Sequence, residues 1–189
     1  MLPAVFSDRM RRLLGAEFDA FLASYDRPRN TALRRNPALP GPALPQFCGE
    51  RVAWEPNGFY LLPDTRPGLS PLHDAGLFYL QEPSAMAPAE LLDPQPGERV
   101  LDLCAAPGGK STQLAGKLLG KGLLVCNEIN AKRAKILSGN MERLGISNAL
   151  VLNEHPKKLT ERFAGYFDKI LVDAPCSGEG MFRKEEAAV

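Results

Sequence analysis

The stretch RVLDLCAAPGGKSTQLA, residues 99–115, decides the fold of this chain. Its apolar beginning at 99–105 predicts a buried strand. A helix is predicted at 111–119, which begins within this stretch and continues beyond it. The two glycines between them permit a tight turn and a close approach of the backbone to a ligand, and Lys110 follows at the start of the helix. This order is typical of a Rossmann-like α/β layer.

The same alternation continues along the chain. Apolar runs predict further strands at 122–128, 149–154 and 169–175, and a helix is predicted at 131–145. Strands that alternate with helices of this length form a parallel sheet with right-handed crossovers. Ligands of such sheets bind beyond the carboxyl ends of the strands.

Composition narrows the class of protein. With 189 residues, of which 44% are hydrophobic, the chain can form a substantial core. The four cysteines form no C-x-x-C pair and no dense framework, so neither a zinc site nor disulfide bonds are predicted. Because no apolar run is long enough to span a bilayer, we expect a soluble, cytoplasmic protein.

The region before the parallel sheet has a different character. Residues 3–25 carry apolar side chains at spacings of three and four, which predicts a helix. The following residues are rich in proline, and a Pro-Gly turn marks a boundary near residue 93. We therefore expect a smaller mixed α/β N-terminal domain at 1–92 and the main α/β domain at 93–189.

Arginines are concentrated in the N-terminal region. Residues 1–92 hold nine arginines and no lysine, and Arg27, Arg29, Arg34 and Arg35 lie close together in the sequence. Arginine suits phosphate forks and base stacking, which would indicate an RNA contact. The alternative is an ordinary solvated face, and since the net charge is only +1, the sequence leaves both open.

Polar residues follow each predicted strand. The second strand ends at Glu128, where an acid can bind the two hydroxyls of a ribose. The third ends in the polar residues Asn153, Glu154 and His155. The fourth runs into Asp173 and Cys176. Four polar clusters at four strand ends predict one cleft for a nucleoside-type cofactor.

Two kinds of cofactor compete for this cleft. The triplet Gly109-Lys110-Ser111 suggests a phosphate-binding loop, but such a loop requires glycine where this chain has Cys104. The dinucleotide fingerprint G-x-G-x-x-G is also missing. A glycine turn followed by a ribose-binding acid favours S-adenosylmethionine, which has no phosphates.

Three motifs in order, LDLCAAPGGKSTQLA, CNEINAKR and VDAPCSGEGMFRK, resemble those of the Sun family of RNA (cytosine-5)-methyltransferases, within it the RsmF-like branch that acts on bacterial ribosomal RNA. LFYLQEPSAM is similar to the lead-in of that family, and ALRRNP to its N-terminal RNA-contacting module. The resemblance implies a class I methyltransferase sheet, cut short after its fourth strand. It also implies ribosomal RNA or the small ribosomal subunit as partner, with neither a membrane nor a metal.

The resemblance assigns site residues as well. Those implied to bind S-adenosyl-L-methionine are Cys104, Ala105, Ala106, Pro107, Gly108, Gly109, Lys110, Glu128, Arg133 and Asp173. Those implied in catalysis are Cys176, Asp173 and Lys110. Where many members of the family place an aspartate against the adenine, this chain has His155, which we expect to start a helix.

Methylation of cytosine C5 requires a thiolate that adds to C6, because C5 alone is a poor nucleophile. The resemblance implies that Cys176 assists release of the methylated RNA and that the attacking cysteine belongs to a later Thr-Cys motif. This sequence offers no candidate for that cysteine, so we expect a fragment that is inactive alone. A P-loop nucleotide hydrolase and a non-catalytic RNA-binding module are the alternatives.

Overall fold

A computed structural model of the chain describes residues 2–39 and 41–176. These residues form two compact units, which are taken separately. One contains residues 2–29 with 175–176, and the other extends from Asn30 to Ala174.

The first unit is helical, but it is not the single helix that the sequence predicts. Helix α1 is Ala4–Leu14 and helix α2 is Phe18–Ala23, each followed by a 3₁₀ turn. The break comes at Gly15, whose φ of 52° ends α1. Of the predicted apolar stripe, Phe6 and Phe18 are buried, whereas other members such as Leu13 stay exposed.

The second unit begins with an antiparallel sheet that the proline-rich sequence does not predict strand by strand. Its four strands have the order β2-β3-β1-β4. Their bounds are β1 Ala32–Arg35, β2 Cys48–Arg51, β3 Gly58–Leu61 and β4 Phe78–Leu80. A short helix, α3 at Pro71–Asp74, precedes β4.

The second sheet confirms the predicted α/β class. Four parallel strands have the order β7-β6-β5-β8, and Leu101 of the inner strand β5 is paired with Val125 and Ile170 on either side. The strands are β5 Arg99–Asp102, β6 Leu123–Asn127, β7 Ala149–Leu152 and β8 Lys169–Leu171. The helices are α4 Pro83–Leu92, α5 Gly109–Leu118, α6 Ala131–Arg143 and α7 Pro156–Arg162.

The parallel strands are shorter than the sequence predicts, because their pairing with the neighbouring strands ends before the predicted run does. Strand β8, for example, ends at Leu171 rather than at 175. A single apolar cluster packs helices α5 and α6 on this sheet, and its fully buried members include Val100, Leu114, Leu124 and Leu137. The loops at the carboxyl ends therefore rest on a rigid layer.

The predicted boundary near residue 93 lies in the turn between α4 and β5. Both sheets belong to the one unit Asn30–Ala174. The division into 1–92 and 93–189 stays a prediction. No helix among residues 2–39 and 41–176 has the length and apolar character needed to cross a membrane.

Candidate functional site

The loop from Cys104 to Lys110 joins strand β5 to helix α5, as the sequence predicts. Its peptide between Ala106 and Pro107 is cis, and Gly108 has a φ of 115°, which side chains rarely tolerate. A Cβ at Gly108 would also lie 3.1 Å from Leu137 Cδ1 of helix α6. Both conformation and space therefore require glycine at this position.

Four consecutive carbonyl oxygens of the loop, from Ala106 to Gly109, accept hydrogen bonds from donors outside it. In the order of the carbonyls, the donors are Arg133 Nη2 at 2.6 Å, Asn140 Nδ2 at 2.9 Å, the Thr112 amide at 2.8 Å and Arg34 Nη2 at 3.0 Å. Helix α6 thus binds one part of the loop and the antiparallel sheet binds the other. This network fixes the backbone conformation of the loop.

Glu128 and Arg133 form an ion pair beside the loop. Glu128 follows strand β6 directly, and only 3% of its side chain is exposed. Its Oε1 accepts from the Asn130 amide at 2.9 Å and its Oε2 lies 3.2 Å from Arg133 Nη1. Arg133 thus joins the predicted ribose acid Glu128 to the Ala106 carbonyl of the loop.

Asn127 binds the ends of three strands together, and sequence reasoning missed it. Its Nδ2 donates to the carbonyls of Leu103 and Glu154, and its Oδ1 accepts from the Glu154 amide at 3.1 Å. Asn153 adds a hydrogen bond of 2.7 Å from its Nδ2 to the Glu128 carbonyl. A polar residue that ends a buried apolar run is the only sequence signal for such a role.

His155, after the third parallel strand, starts a helix, as the sequence predicts. Its Nδ1 accepts from the Lys157 amide at 3.2 Å, which caps the start of helix α7. The neighbouring Glu154 pairs with Lys158 at 2.8 Å, and this partner lowers the pKa of its carboxyl. Within the described part of the chain, His155 thus serves the fold.

Two of the three predicted catalytic residues, Lys110 and Asp173, form an ion pair. Lys110 Nζ lies 2.7 Å from Asp173 Oδ2, across the ends of the neighbouring strands β5 and β8. The side chain of Asp173 is 59% exposed and that of Lys110 is 20% exposed. The pair is therefore accessible to a ligand on the side of Asp173.

Asp102, at the end of strand β5, is the second functional candidate that the sequence did not single out. It is buried, its Oδ2 accepts from Ser111 Oγ at 2.6 Å, and its Oδ1 has no partner among the described residues. Burial raises the pKa of Asp102 from 3.8 to about 6, against the opposing effect of the Ser111 hydrogen bond. The Cys104 backbone also lowers the pKa of this carboxyl through a hydrogen bond, and the oxygen without a partner keeps the capacity to accept from a cationic group.

The cysteines lie in different environments. Cys126 is buried in strand β6, Cys104 is half-buried in the loop, and burial raises the pKa of both thiols. Neither is an activated nucleophile, because only the thiolate attacks. Cys176 is exposed and is the last residue of the described range. Its catalytic role stays a prediction, and the motif residues from Ser177 onward lie outside the described residues.

For Arg34, both interpretations of the arginine cluster, an RNA contact and a solvated face, are wrong. Arg34 is only 2% exposed and is bonded inside the second unit, so it neither contacts RNA phosphates nor lies on a solvated face. Strand alternation in β1 turns its side chain inward. Arg35 is half-buried, with its Nη2 donating to the Gly41 carbonyl at 3.3 Å, while Arg27 and Arg29 are exposed.

Among residues 2–39 and 41–176, no group of three or more histidine, cysteine, aspartate or glutamate side chains could hold a metal ion. Two acids of the candidate site pair instead with cations of the chain itself. Asp173 lies against Lys110, and Glu128 against Arg133.

Comparison with known families agrees with the geometry. Residues 89–189 match the family described as 16S rRNA methyltransferase RsmB/F. Residues 2–83 match the N-terminal domain of 16S rRNA methyltransferase RsmF. The two matches together cover most of the chain.

Similar proteins were also found among curated sequences. Ribosomal RNA small subunit methyltransferase F of Pectobacterium atrosepticum is 39% identical over 100% of this chain, and that of an Escherichia coli strain is 37% identical over 99% of it. The chain spans 42% of the length of each of these relatives.

Solved structures share the fold. A methyltransferase homologue from Pyrococcus horikoshii has a TM-score of 0.82 and 30% identity, covering 98% of this chain and 63% of its own. The NSun6 protein of the same organism, solved with SFG, has a TM-score of 0.79 at 18% identity, over 93% of this chain and 71% of its own. The latter supports the fold alone.

Proposed function

The chain belongs to the RsmB/F family of 16S rRNA methyltransferases, and on this premise we propose that it carries the cofactor-binding part of an enzyme that methylates cytosine C5 in ribosomal RNA. The observation that carries the proposal lies at the carboxyl ends of strands β5, β6 and β8. There the loop 104–110, the Glu128–Arg133 pair and the Lys110–Asp173 pair come together.

S-adenosyl-L-methionine is the cofactor of this family, and the residues of the cleft fit it. When bound, it supplies the methyl group from its sulfonium. We assign Glu128 to the ribose hydroxyls, which is supported by the lone pair that each of its carboxylate oxygens keeps beyond the contacts with Asn130 and Arg133. The loop around Gly108 lets the backbone approach the ligand closely.

The unpaired oxygen of Asp102 is an independent test of this fit. A buried carboxylate that lacks a partner is expensive unless a ligand completes it. The amino group and the sulfonium of S-adenosylmethionine are cationic, so an acceptor beneath the loop suits that end of the molecule. A nucleoside triphosphate would instead bring negative charge toward Asp102.

For the reaction itself, we assign Asp173 and Lys110 to the target base. An acid near N3 and the exocyclic amine stabilises the adduct that forms when a thiolate adds to C6, and a cation near O2 accommodates the shift of charge. C5 then accepts the methyl group, its proton leaves, and the thiolate is expelled. We assign Cys176 to that release step, with the attacking thiolate supplied by another cysteine of the complete enzyme.

The substrate we propose is ribosomal RNA, free or within the small subunit, in the cytoplasm. The target base must leave any stack or duplex before a thiolate can reach C6. This part of the proposal rests on family membership, because the described arginines are divided between exposed positions such as Arg29 and the buried Arg34.

The phosphate-binding alternative is disfavoured by the same loop. A P-loop uses the hydroxyl after its lysine to bind Mg²⁺. Here Ser111 is fully buried, and its hydroxyl donates to Asp102 at 2.6 Å. Lys110 is likewise directed to Asp173 rather than left for a phosphate.

Calorimetry of the chain with S-adenosylmethionine tests the proposal. We expect binding, and we expect Glu128→Gln to weaken it by about tenfold, since a hydrogen bond to a charged group is lost. Glu154→Gln is the matched control, because Glu154 is an acid at the next strand end that pairs with Lys158, and it should change the affinity by less than about twofold. Binding of ATP with Mg²⁺ in preference to S-adenosylmethionine, or an unaffected Glu128→Gln variant, would contradict the proposal.

A further inference from the structure

Arg34 joins the antiparallel sheet to the cofactor loop. Its Nη2 donates to the Gly109 carbonyl at 3.0 Å and to Thr112 Oγ1 at 2.7 Å, while its Nε donates to Gln81 Oε1 at 3.1 Å. Gly109 and Thr112 both belong to the first turn of helix α5. The guanidinium of Arg34 thus bonds the segment on which the loop ends.

The position of Arg34 follows from the sheet. Strand β1 lies between β3 and β4, where Arg34 is paired with Gly58 on one side and Tyr79 on the other. Alternation along the strand places Leu33 on one face, in a cluster with Phe78, and Arg34 on the face toward α5. A central strand has little freedom to shift, so it holds the arginine in a fixed place.

The neighbouring strand reinforces this contact. A Cβ at Gly109 would lie 3.3 Å from Tyr79 Cε1 and 3.4 Å from Gln81 Nε2, which is tighter than an ordinary contact. Gln81 is itself fixed, since its Nε2 donates to the Ala85 carbonyl at 2.9 Å. The antiparallel sheet therefore touches the start of α5 through both backbone packing and hydrogen bonds.

The charge of Arg34 is retained despite its burial. Desolvation lowers the pKa of Arg34 to about 10, partly offset by Glu55, Tyr79 and Glu90. The side chain is therefore protonated at neutral pH, and each of its described hydrogen bonds is charge-assisted.

We propose that Arg34 is a positioning residue that holds the first turn of α5, and through it the loop 104–110, in the conformation that binds the cofactor. Arg34 acts through Gly109 and Thr112, whose contacts with it are direct. The proposal rests on the proposed function for the identity of the cofactor, but the hold on the loop can be measured without any ligand.

The test compares Arg34→Lys with Arg35→Lys. Lysine keeps the charge of Arg34 but loses the fork that bonds Gln81, Gly109 and Thr112 together. Arg35 is the adjacent residue of the same strand, and its described hydrogen bonds go to the loop at 41–42 instead. Two measurements are made on the full chain: hydrogen exchange over residues 104–113 without ligand, and the affinity for S-adenosylmethionine.

For Arg34→Lys we expect amide exchange over 104–113 to accelerate by about tenfold and the affinity for S-adenosylmethionine to fall by about tenfold, while exchange in strand β6 is unchanged. Arg35→Lys should change both by less than about twofold. Thr112→Val, which removes a single acceptor of the Arg34 guanidinium, serves as a second variant if Arg34→Lys does not fold. For Thr112→Val, amide exchange over 104–113 should accelerate by about threefold and the affinity for S-adenosylmethionine should fall by about threefold.

Three outcomes would contradict either the positioning role of Arg34 or the proposed function. Weaker binding without faster exchange at 104–113 overturns the positioning role. Faster exchange throughout the second unit, strand β6 included, also overturns it, since Arg34 would then support only overall stability. Faster local exchange in a chain that never binds S-adenosylmethionine upholds the hold on the loop and overturns the proposed function.

Discussion

The loop 104–110 is held by two arginines in opposite environments. Arg133, on helix α6, has 49% of its side chain exposed and donates to the Ala106 carbonyl while it pairs with Glu128. Arg34, on strand β1, is 2% exposed and donates to the Gly109 carbonyl from inside the second unit. One end of the loop is therefore bonded by a half-exposed side chain and the other by a buried one.

This difference separates two tasks. At the open side, the Arg133 side chain is 49% exposed, so a ligand that enters can take over part of its contacts with Glu128 and the Ala106 carbonyl. At the buried side, no such exchange is available, and a lost hydrogen bond leaves polar atoms without partners. We infer that the β1 side sets the conformation of the loop and the α6 side responds to the ligand.

The largest expected effect tests that division directly. Arg34→Met should lower the free energy of unfolding by about 3 kcal/mol, because it removes the buried donor to Gln81 Oε1 and Thr112 Oγ1, while the Gly109 carbonyl keeps the hydrogen bond from Thr112 Oγ1 at 3.1 Å. Arg133→Met should lower it by less, about 1 to 2 kcal/mol, because the buried Glu128 loses its cation but keeps the hydrogen bond from the Asn130 amide, and water can reach the site from the half-exposed side of Arg133. Urea denaturation at neutral pH without ligand measures both. Equal losses for the two variants would remove the distinction between the two sides.

The next effect concerns Asp102, which lies beneath the loop. A carboxyl whose pKa is higher in the folded state than in the unfolded state binds its proton more tightly when folded. Its contribution to stability is thus complete below pH 4 and disappears as the pH rises from 3.8 to about 6. About two pKa units correspond to roughly 3 kcal/mol.

We therefore expect Asp102→Asn to remove a fall of about 3 kcal/mol in the free energy of unfolding between pH 4 and pH 7. Denaturation curves of the wild type and the variant at several pH values give the difference. Asp168→Asn is the control with the opposite sign, since Arg99 lowers the pKa of Asp168 and its contribution is lost as the pH falls. Parallel pH profiles for the wild type and Asp102→Asn would mean that Asp102 does not titrate in this range.

The parallel sheet could be predicted from sequence because its signals are local. Apolar runs, the glycine turn and a polar residue after each run identified strands β5 to β8 and brought Glu128 and Asp173 to the correct edge. Strand lengths were overestimated, since an apolar residue such as Val172 does not reveal whether it still pairs with a neighbour; here it is 57% exposed.

The β1 side could not be predicted, because its contacts join residues far apart in the chain. Arg34 lies in a four-residue strand amid prolines, and the sequence there shows only an arginine cluster of the kind found on surfaces. Its partners Gly109 and Thr112 are 75 and 78 residues away. Asp102 was missed for a similar reason, since a buried acid at a strand end is informative only once its unpaired oxygen is seen.

The smallest expected effect refines the comparison at the middle of the loop, where Gly108 faces helix α6. Gly108→Ala should lower the free energy of unfolding by about 2 kcal/mol, because alanine is strained at a φ of 115° and its Cβ would lie 3.1 Å from Leu137 Cδ1. Gly139→Ala is the matched control in α6 itself, where a Cβ would meet nothing within 4 Å. This substitution should raise the free energy of unfolding by about 0.5 to 1 kcal/mol, because alanine favours the helix over glycine. If Gly108→Ala is tolerated in urea denaturation yet weakens S-adenosylmethionine binding, the loop yields at its centre, and rigidity then belongs only to its Arg34 end.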